Sequence, residues 1–243
     1  MYKMLIILSL FWLYGIGCVG QPFPELNTAK DCKYMKPVER EMIYEINVAR
    51  SRPDVYAGYL KDYLTEAKEK LQNYDNDRKS YSLSTKYKTM NGKTTIRTDT
   101  IWFNEEEEEV KAIESLINDL KKQGRLTILK PDAGIYKAAT LYGADQDRHE
   151  WALSHNGSDG SWPNDRIKRY SPKMIDGNEN IAGRYPEPTA RDIVIQLLID
   201  GGIPGYGHRY NMLNPQWTHG ACFCGGLKNG MYRWLQEFGE LGR

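Results

Sequence analysis

The feature that most narrows the fold is the order in which two periodicities occur along the chain. Apolar residues at helical spacing come first: Met42, Ile46 and Ala49, then, after Pro53, Val55 and Leu60, predict two consecutive helices within residues 38–64. A further helix is expected after the acidic run 105–109. Val110, Ile113, Leu116, Ile117 and Leu120 form its buried stripe, Lys121 and Lys122 suit the negative end of its dipole, and Gly124 stops it. Residues 131–148 continue the pattern, with Ile135, Ala138, Ala139, Leu141 and Tyr142 on one side. Thr189 and Asp192 make a capping-box-like start for the next helix, whose face holds Ile193, Val194, Leu197, Leu198 and, one turn on, Asp200. Strand patterns gather elsewhere. Residues 218–226 and 231–238 read as a late hairpin around Asn229-Gly230, and the polar stretch 73–104 reads as an inserted β-hairpin around Asn91-Gly92. Helices and strands segregated in this way indicate an α+β layered domain, not alternating β-α-β units.

The 243 residues suit one domain, and 40% hydrophobic content is ordinary for a chain that buries a core. A formal net charge of +1 leaves no bulk basic surface for phosphate, which sets nucleic acid aside as a partner. Residues 1–20 carry Lys3, an apolar run over 4–16, and small residues Gly15, Gly17 and Gly20, the pattern of a secretory signal. The run is shorter than the roughly 20 residues that span a bilayer. Cleavage after Gly17 leaves Cys18 as a lipidated N-terminal residue, the only membrane attachment expected of a cell-envelope lipoprotein; cleavage after Gly20 leaves a secreted chain beginning at Gln21. Residues 21–37 then read as a linker and 38–243 as the domain, with the insertion at about 73–104.

Export puts Cys32, Cys222 and Cys224 in an oxidising compartment. Cys222 and Cys224 stand two apart on an expected strand and share a face, so the expected disulfide joins Cys32 to one of them. A Cys-Cys-His metal site with His219 is the alternative, without a recognised ligand spacing.

Chemistry is expected where His155 and His208 stand in Gly-rich, polar, loop-like contexts, Ser154-His155-Asn156-Gly157 and Gly205-Tyr206-Gly207-His208-Arg209. Such histidines are open to close approach by a ligand, and neutral imidazole is the commonest metal ligand near neutral pH. Glu179, flanked by the turn formers of Gly177-Asn178-Glu179-Asn180, needs a histidine, a cation or backbone N–H groups if buried. His149 and His219 read as structural, at a helix end and a strand start. No Gly-x-Ser-x-Gly elbow, P-loop or Gly-x-Gly-x-x-Gly after a strand occurs, and residues 157–162 lack the alternating oxygen ligands of an EF-hand.

Leu153-Ser154-His155, Gly177-Asn178-Glu179-Asn180-Ile181-Ala182 and Gly207-His208-Arg209-Tyr210-Asn211-Met212-Leu213-Asn214-Pro215 resemble, in this order, motifs of the CAP superfamily. That superfamily comprises the cysteine-rich secretory, antigen 5 and plant pathogenesis-related proteins and bacterial SCP-domain proteins. The resemblance runs from about Val38 to Phe238 without the insertion. It implies a three-layer α-β-α sandwich carrying the inserted β-hairpin, with two histidines and two acids in a central cleft. By position these are His155, Glu179, His208 and Asp200, the last where relatives often have Glu. It further implies Zn²⁺ or another divalent cation on His155, His208 and Glu179, with Asp200, Asn180, Arg209 and Tyr206 around them. The activities implied are non-catalytic binding of a sterol, fatty acid or similar small apolar ligand, or metal-dependent hydrolysis with Glu179 as general base. Tyr206, Tyr210, Trp217 and Trp162 are candidate aromatic walls, and the inserted hairpin is the candidate contact surface of a cell-surface interaction module with an extracellular partner.

Overall fold

The computed structural model describes residues 22–73, 80–90, 93–149, 154–184, 189–227 and 230–242. The signal segment with Cys18, the turn residues Asn91, Gly92 and Asn229, and Leu153 lie outside them.

Pro53 separates two helices by starting the second. α1 (Pro37–Ser51) and α2 (Pro53–Gln72) each carry proline at the first position, where its missing N–H is not needed. Next, β1 (Ser80–Met90) and β2 (Lys93–Phe103) pair antiparallel as a ribbon of their own, joined through residues 91–92. Asn104 then caps α3 (Glu105–Lys122), its Oδ1 accepting the Glu107 N–H at 2.9 Å, and the acidic run lies in the first turn as the helix dipole favours.

A four-stranded sheet forms the middle layer in the order β3-β5-β6-β4, from β3 (Lys130–Pro131), β4 (Met174–Arg184), β5 (His219–Gly226) and β6 (Tyr232–Leu241). β3 runs parallel to β5 and the other pairs are antiparallel. α4 (Ala133–His149) and α5 (Pro163–Tyr170) cover one face. α1 and α6 (Ala190–Ile199) cover the other, with α2 and α3 packed behind them. α7 (Gly207–Met212) packs at the β4 edge. Cys222, Cys224, Trp234 and Phe238 belong to the core under α1, while Leu235 and Ile181 pack with Tyr142 on the α4 side. Strand alternation thus divides one sheet between two cores.

Three expectations are corrected. Residues 21–37 are not a linker: Leu26, Ala29 and Met35 are buried in the main core, and the Asn47 amide donates to the Leu26 carbonyl. Glu179 lies on a strand and His208 on a helix, not in loops. The turn formers that disguised β4 blunt an edge strand, since the N–H groups of Gly177 and Glu179 donate to the preceding Asp176 and Asn178 side chains, each at 2.9 Å. Among the described residues no disulfide joins Cys32 to Cys222 or Cys224, because strand geometry turns both β5 cysteines inward while Cys32 stays half-buried at the margin of that core. His219 starts β5, on the strand face opposite Cys222 and Cys224, with its Nδ1 2.9 Å from Thr218 Oγ1, and among the described residues no group of three or more His, Cys, Asp or Glu can hold a metal ion.

Candidate functional site

His155, Glu179 and His208 line one cavity of about 400 Å³ at the β4 edge, with Trp162, Pro163, Asn178, Asn180, Ile203 and Asn211. A chain stretch separates each from the next, so the sheet edge and its flanking helices bring them together.

Glu179 is held on β4 with its side chain fully buried. Its Oε1 lies 2.9 Å from Nδ1 of His155, and Arg166 on α5 donates to both its oxygens at 3.0 and 3.1 Å. A carboxylate only accepts, so this contact keeps a proton on His155 Nδ1 and leaves Nε2 for the cavity. The imidazole itself is 45% exposed. Arg166 also donates to the His155 and Ser161 carbonyls at 3.0 and 2.8 Å and stacks 3.6 Å from the Tyr142 ring centroid. The Tyr142 hydroxyl donates to the Ser154 carbonyl, as does the Gln146 amide at 2.8 Å. The loop bearing His155 is therefore tied to α4 and α5 on both sides of the histidine.

His208 is held by a separate acid. Asp200 ends α6 in the left-handed region, φ 55°, and from there Oδ1 lies 2.7 Å from His208 Nδ1 while Oδ2 accepts the His208 N–H at 2.9 Å. One carboxylate thus caps the start of α7 and fixes the imidazole's tautomer. The loop between them closes on Tyr206, also left-handed at φ 50°. Two such non-glycine residues around one loop mark strain of the kind kept near functional sites. Gly202, at φ +74° against the Phe103 ring, has room for no side chain. Asp200 is thus a positioning group outside the cavity that His155 and His208 share.

Among the remaining expected residues, Asn180 donates to the His208 backbone carbonyl and to the Gln236 side-chain Oε1, both at 3.1 Å, and accepts from Asn211 at 2.8 Å, tying β4 to α7. Arg209 faces away from the cavity. It is buried and donates to the Leu198, Ile199 and Ala112 carbonyls and to Asp119, under the Tyr206 ring at 4.0 Å. Neither Arg209 nor Tyr206 is a cleft residue. Of the candidate aromatic walls only Trp162 lines the cavity; Trp217 is core with its indole N–H donated to Asn211, and Tyr210 is exposed. Expected as a metal ligand or general base, Glu179 is already committed to Arg166 and His155. His149 ends α4, 3.6 Å from Asp145.

Sequence reasoning missed Arg166, Tyr142 and Glu237. The last faces Glu179 directly across the β4–β6 ladder, and both are buried. Among the described residues no donor reaches either oxygen of Glu237. Burial, and then the charge of Glu179, push its carboxyl well above the usual range. Burial also raises the Tyr142 phenol to about 12, with Glu179 adding to the shift. Once β4 is recognised as pairing with β6, its register is the signal that finds Glu237.

The model of the CAP, cysteine-rich secretory protein, family matches residues 114–238. The chain is similar to an outer surface protein of Borrelia burgdorferi, at 20% identity and a TM-score of 0.42 over 56% of this chain and 95% of that one. It is also similar to an extracellular protein containing a SCP domain from Bacillus anthracis str. Ames, at 19% identity and a TM-score of 0.37 over 58% of this chain and 46% of that one. No curated protein matches it.

Proposed function

The chain belongs to the cysteine-rich secretory protein (CAP) family, and from that premise we propose that it is an exported, non-catalytic binding protein whose cleft takes a small ligand through a divalent cation held by His155 and His208. One observation carries this reading. Both imidazoles border one cavity, and each has its Nδ1 engaged by its own buried carboxylate, which presents Nε2 as the free donor. Carboxylate partners of this kind fix ring orientation and raise the basicity of a metal-binding histidine. With His155 and His208 as the two protein donors, the remaining positions would be left to water or the ligand. A divalent ion there supplies a Lewis-acidic anchor for an oxygen of the ligand. The chain's own part is to orient the two rings, to offer the amide of Asn178, and to place Trp162, Pro163 and Ile203 against the apolar portion of a fatty-acid- or sterol-like molecule. A cavity of about 400 Å³ suits one such group.

Hydrolysis has less support, because a general base must be free to take a proton and Glu179 already accepts from Arg166 and His155. Export rests on the signal-like residues 1–20, with Cys18 as the anchor if cleavage precedes it. No described helix is long and apolar enough to cross a membrane.

Calorimetric titration with Zn²⁺ tests the site. Wild type is expected to bind about one equivalent, His155→Ala with His208→Ala to bind none, and Asp200→Asn to bind roughly 10- to 100-fold more weakly. Equal binding by wild type and the double variant overturns the reading, as does no binding at all.

A further inference from the structure

A cavity of about 370 Å³, with neither His155 nor His208 in its lining, lies where the end of β2 meets the first two turns of α3. Its residues all precede the family-matched stretch 114–238. We propose that it is a binding site for a neutral oligosaccharide, with Trp102 as the platform for one sugar ring.

The apolar part of the site comes from the strand. Trp102 lines the cavity while 62% exposed, and Tyr81, its cross-strand partner, is 58% exposed with ring centroids 5.2 Å apart. Neither ring belongs to a hydrophobic core cluster. Such a pair steadies a ribbon by only about 0.2–1 kcal/mol, and here both side chains stay more than half exposed beside a hollow. The polar part comes from the helix. Asn104, Glu107, Glu108 and Lys111 recur at intervals of three and four residues, so they share one face of α3 and line the cavity together. Lys111 Nζ lies 2.7 Å from Glu107 Oε1, and Glu108 Oε1 accepts from the Tyr206 hydroxyl at 3.4 Å. Asn104 gives its Oδ1 to the Glu107 N–H, which leaves its NH₂ group as a donor.

This wall selects its occupant. Because carboxylates and an ammonium stand side by side, an anion or a cation meets a like charge together with an opposite one. A purely apolar molecule would take water from these charges and return no hydrogen bond. A hydroxyl both donates and accepts, so a sugar can donate to Glu107 and Glu108 and accept from Asn104 and Lys111. The C–H face of a pyranose carries partial positive charge, which the negative face of an indole attracts. The volume falls within the roughly 300–1,000 Å³ of small-molecule sites.

Calorimetric titration of the full chain tests this with three neutral tetrasaccharides: the β-1,4-linked N-acetylglucosamine tetramer, cellotetraose and α-1,6-mannotetraose. Choline and tetragalacturonate serve as charged comparators. Saturable binding of at least one neutral sugar is expected, nearly unchanged by salt because no net charge is neutralised. Trp102→Ala should weaken it at least about tenfold, Trp102→Phe less, and Glu108→Gln several-fold. On wild type, the indole N–H resonance that is missing from Trp102→Phe should shift when the sugar is added, which reads contact at that ring without a variant affinity. The proposal is overturned if none of the three sugars binds, if Trp102→Ala binds as wild type does, or if that resonance stays still. Equal or tighter binding of choline or tetragalacturonate overturns it as well. No step uses Zn²⁺ or alters a histidine, so this site and the cleft reading fail separately.

Discussion

Replacing Arg166 by methionine isolates the interaction that holds the cleft wall. The guanidinium is almost fully buried, and its departure leaves the fully buried Glu179 carboxylate with His155 as its remaining partner. Breaking a buried pair by removing one member costs about 3–5 kcal/mol, because the surviving charge keeps its desolvation penalty. Methionine retains much of the aliphatic stem over Tyr142, which keeps lost packing small. At roughly 2–4 °C per kcal/mol for a chain of this size, the thermal midpoint should fall by about 6–20 °C. Adding Glu179→Gln removes the stranded charge, so the double variant should recover at least about 2 kcal/mol relative to the sum of the singles. It should not recover fully, since the His155 and Ser161 carbonyls also lose their donor. Urea unfolding followed by tryptophan fluorescence reads all four corners of the cycle. A single variant within about 1 kcal/mol of wild type, or strictly additive effects, would refute the buried-pair account.

Glu237 gives a pH-dependent test. Its carboxyl titrates higher in the folded chain than the unfolded value of about 4.3, so the folded state binds the extra proton between those limits and its stability falls as pH rises through that window. Glu237→Gln should match wild type near pH 4 and become progressively more stable than it toward neutrality in urea titrations at several pH values; parallel curves would contradict the raised carboxyl. In native protein, iodoacetamide should label the half-buried Cys32 and spare Cys222 and Cys224, which react only after denaturation, because burial raises the Cys222 thiol and both β5 cysteines face the core. Mass spectrometry that finds a bridged pair instead would restore the disulfide.

Local signals were legible because they act within a turn or two of chain. Pro53 and the acidic start of α3 gave helix boundaries, Asn91-Gly92 and Asn229-Gly230 marked hairpins, and glycine-flanked motifs singled out His155, Glu179 and His208. What failed depended on partners. β4 reads as turns because its Asp and Asn side chains satisfy an edge that no neighbouring strand covers. Arg209 sits in a site motif yet points away from the cleft, because a guanidinium with five donors is most stable where the end of α6 and the Ala112 carbonyl of α3 accept from it.

The sequence by itself thus determined α1 to α4 and α6, the two hairpins and which side chains were available for chemistry, but not α5 or α7. Only the tertiary structure decided that Glu179 belongs to Arg166 and His155, that Asp200 belongs to His208, and that Glu237 stands opposite Glu179. Periodicity and capping are properties of neighbouring residues, whereas the state of a buried charge is set by whatever strand register and helix packing bring against it once water is removed.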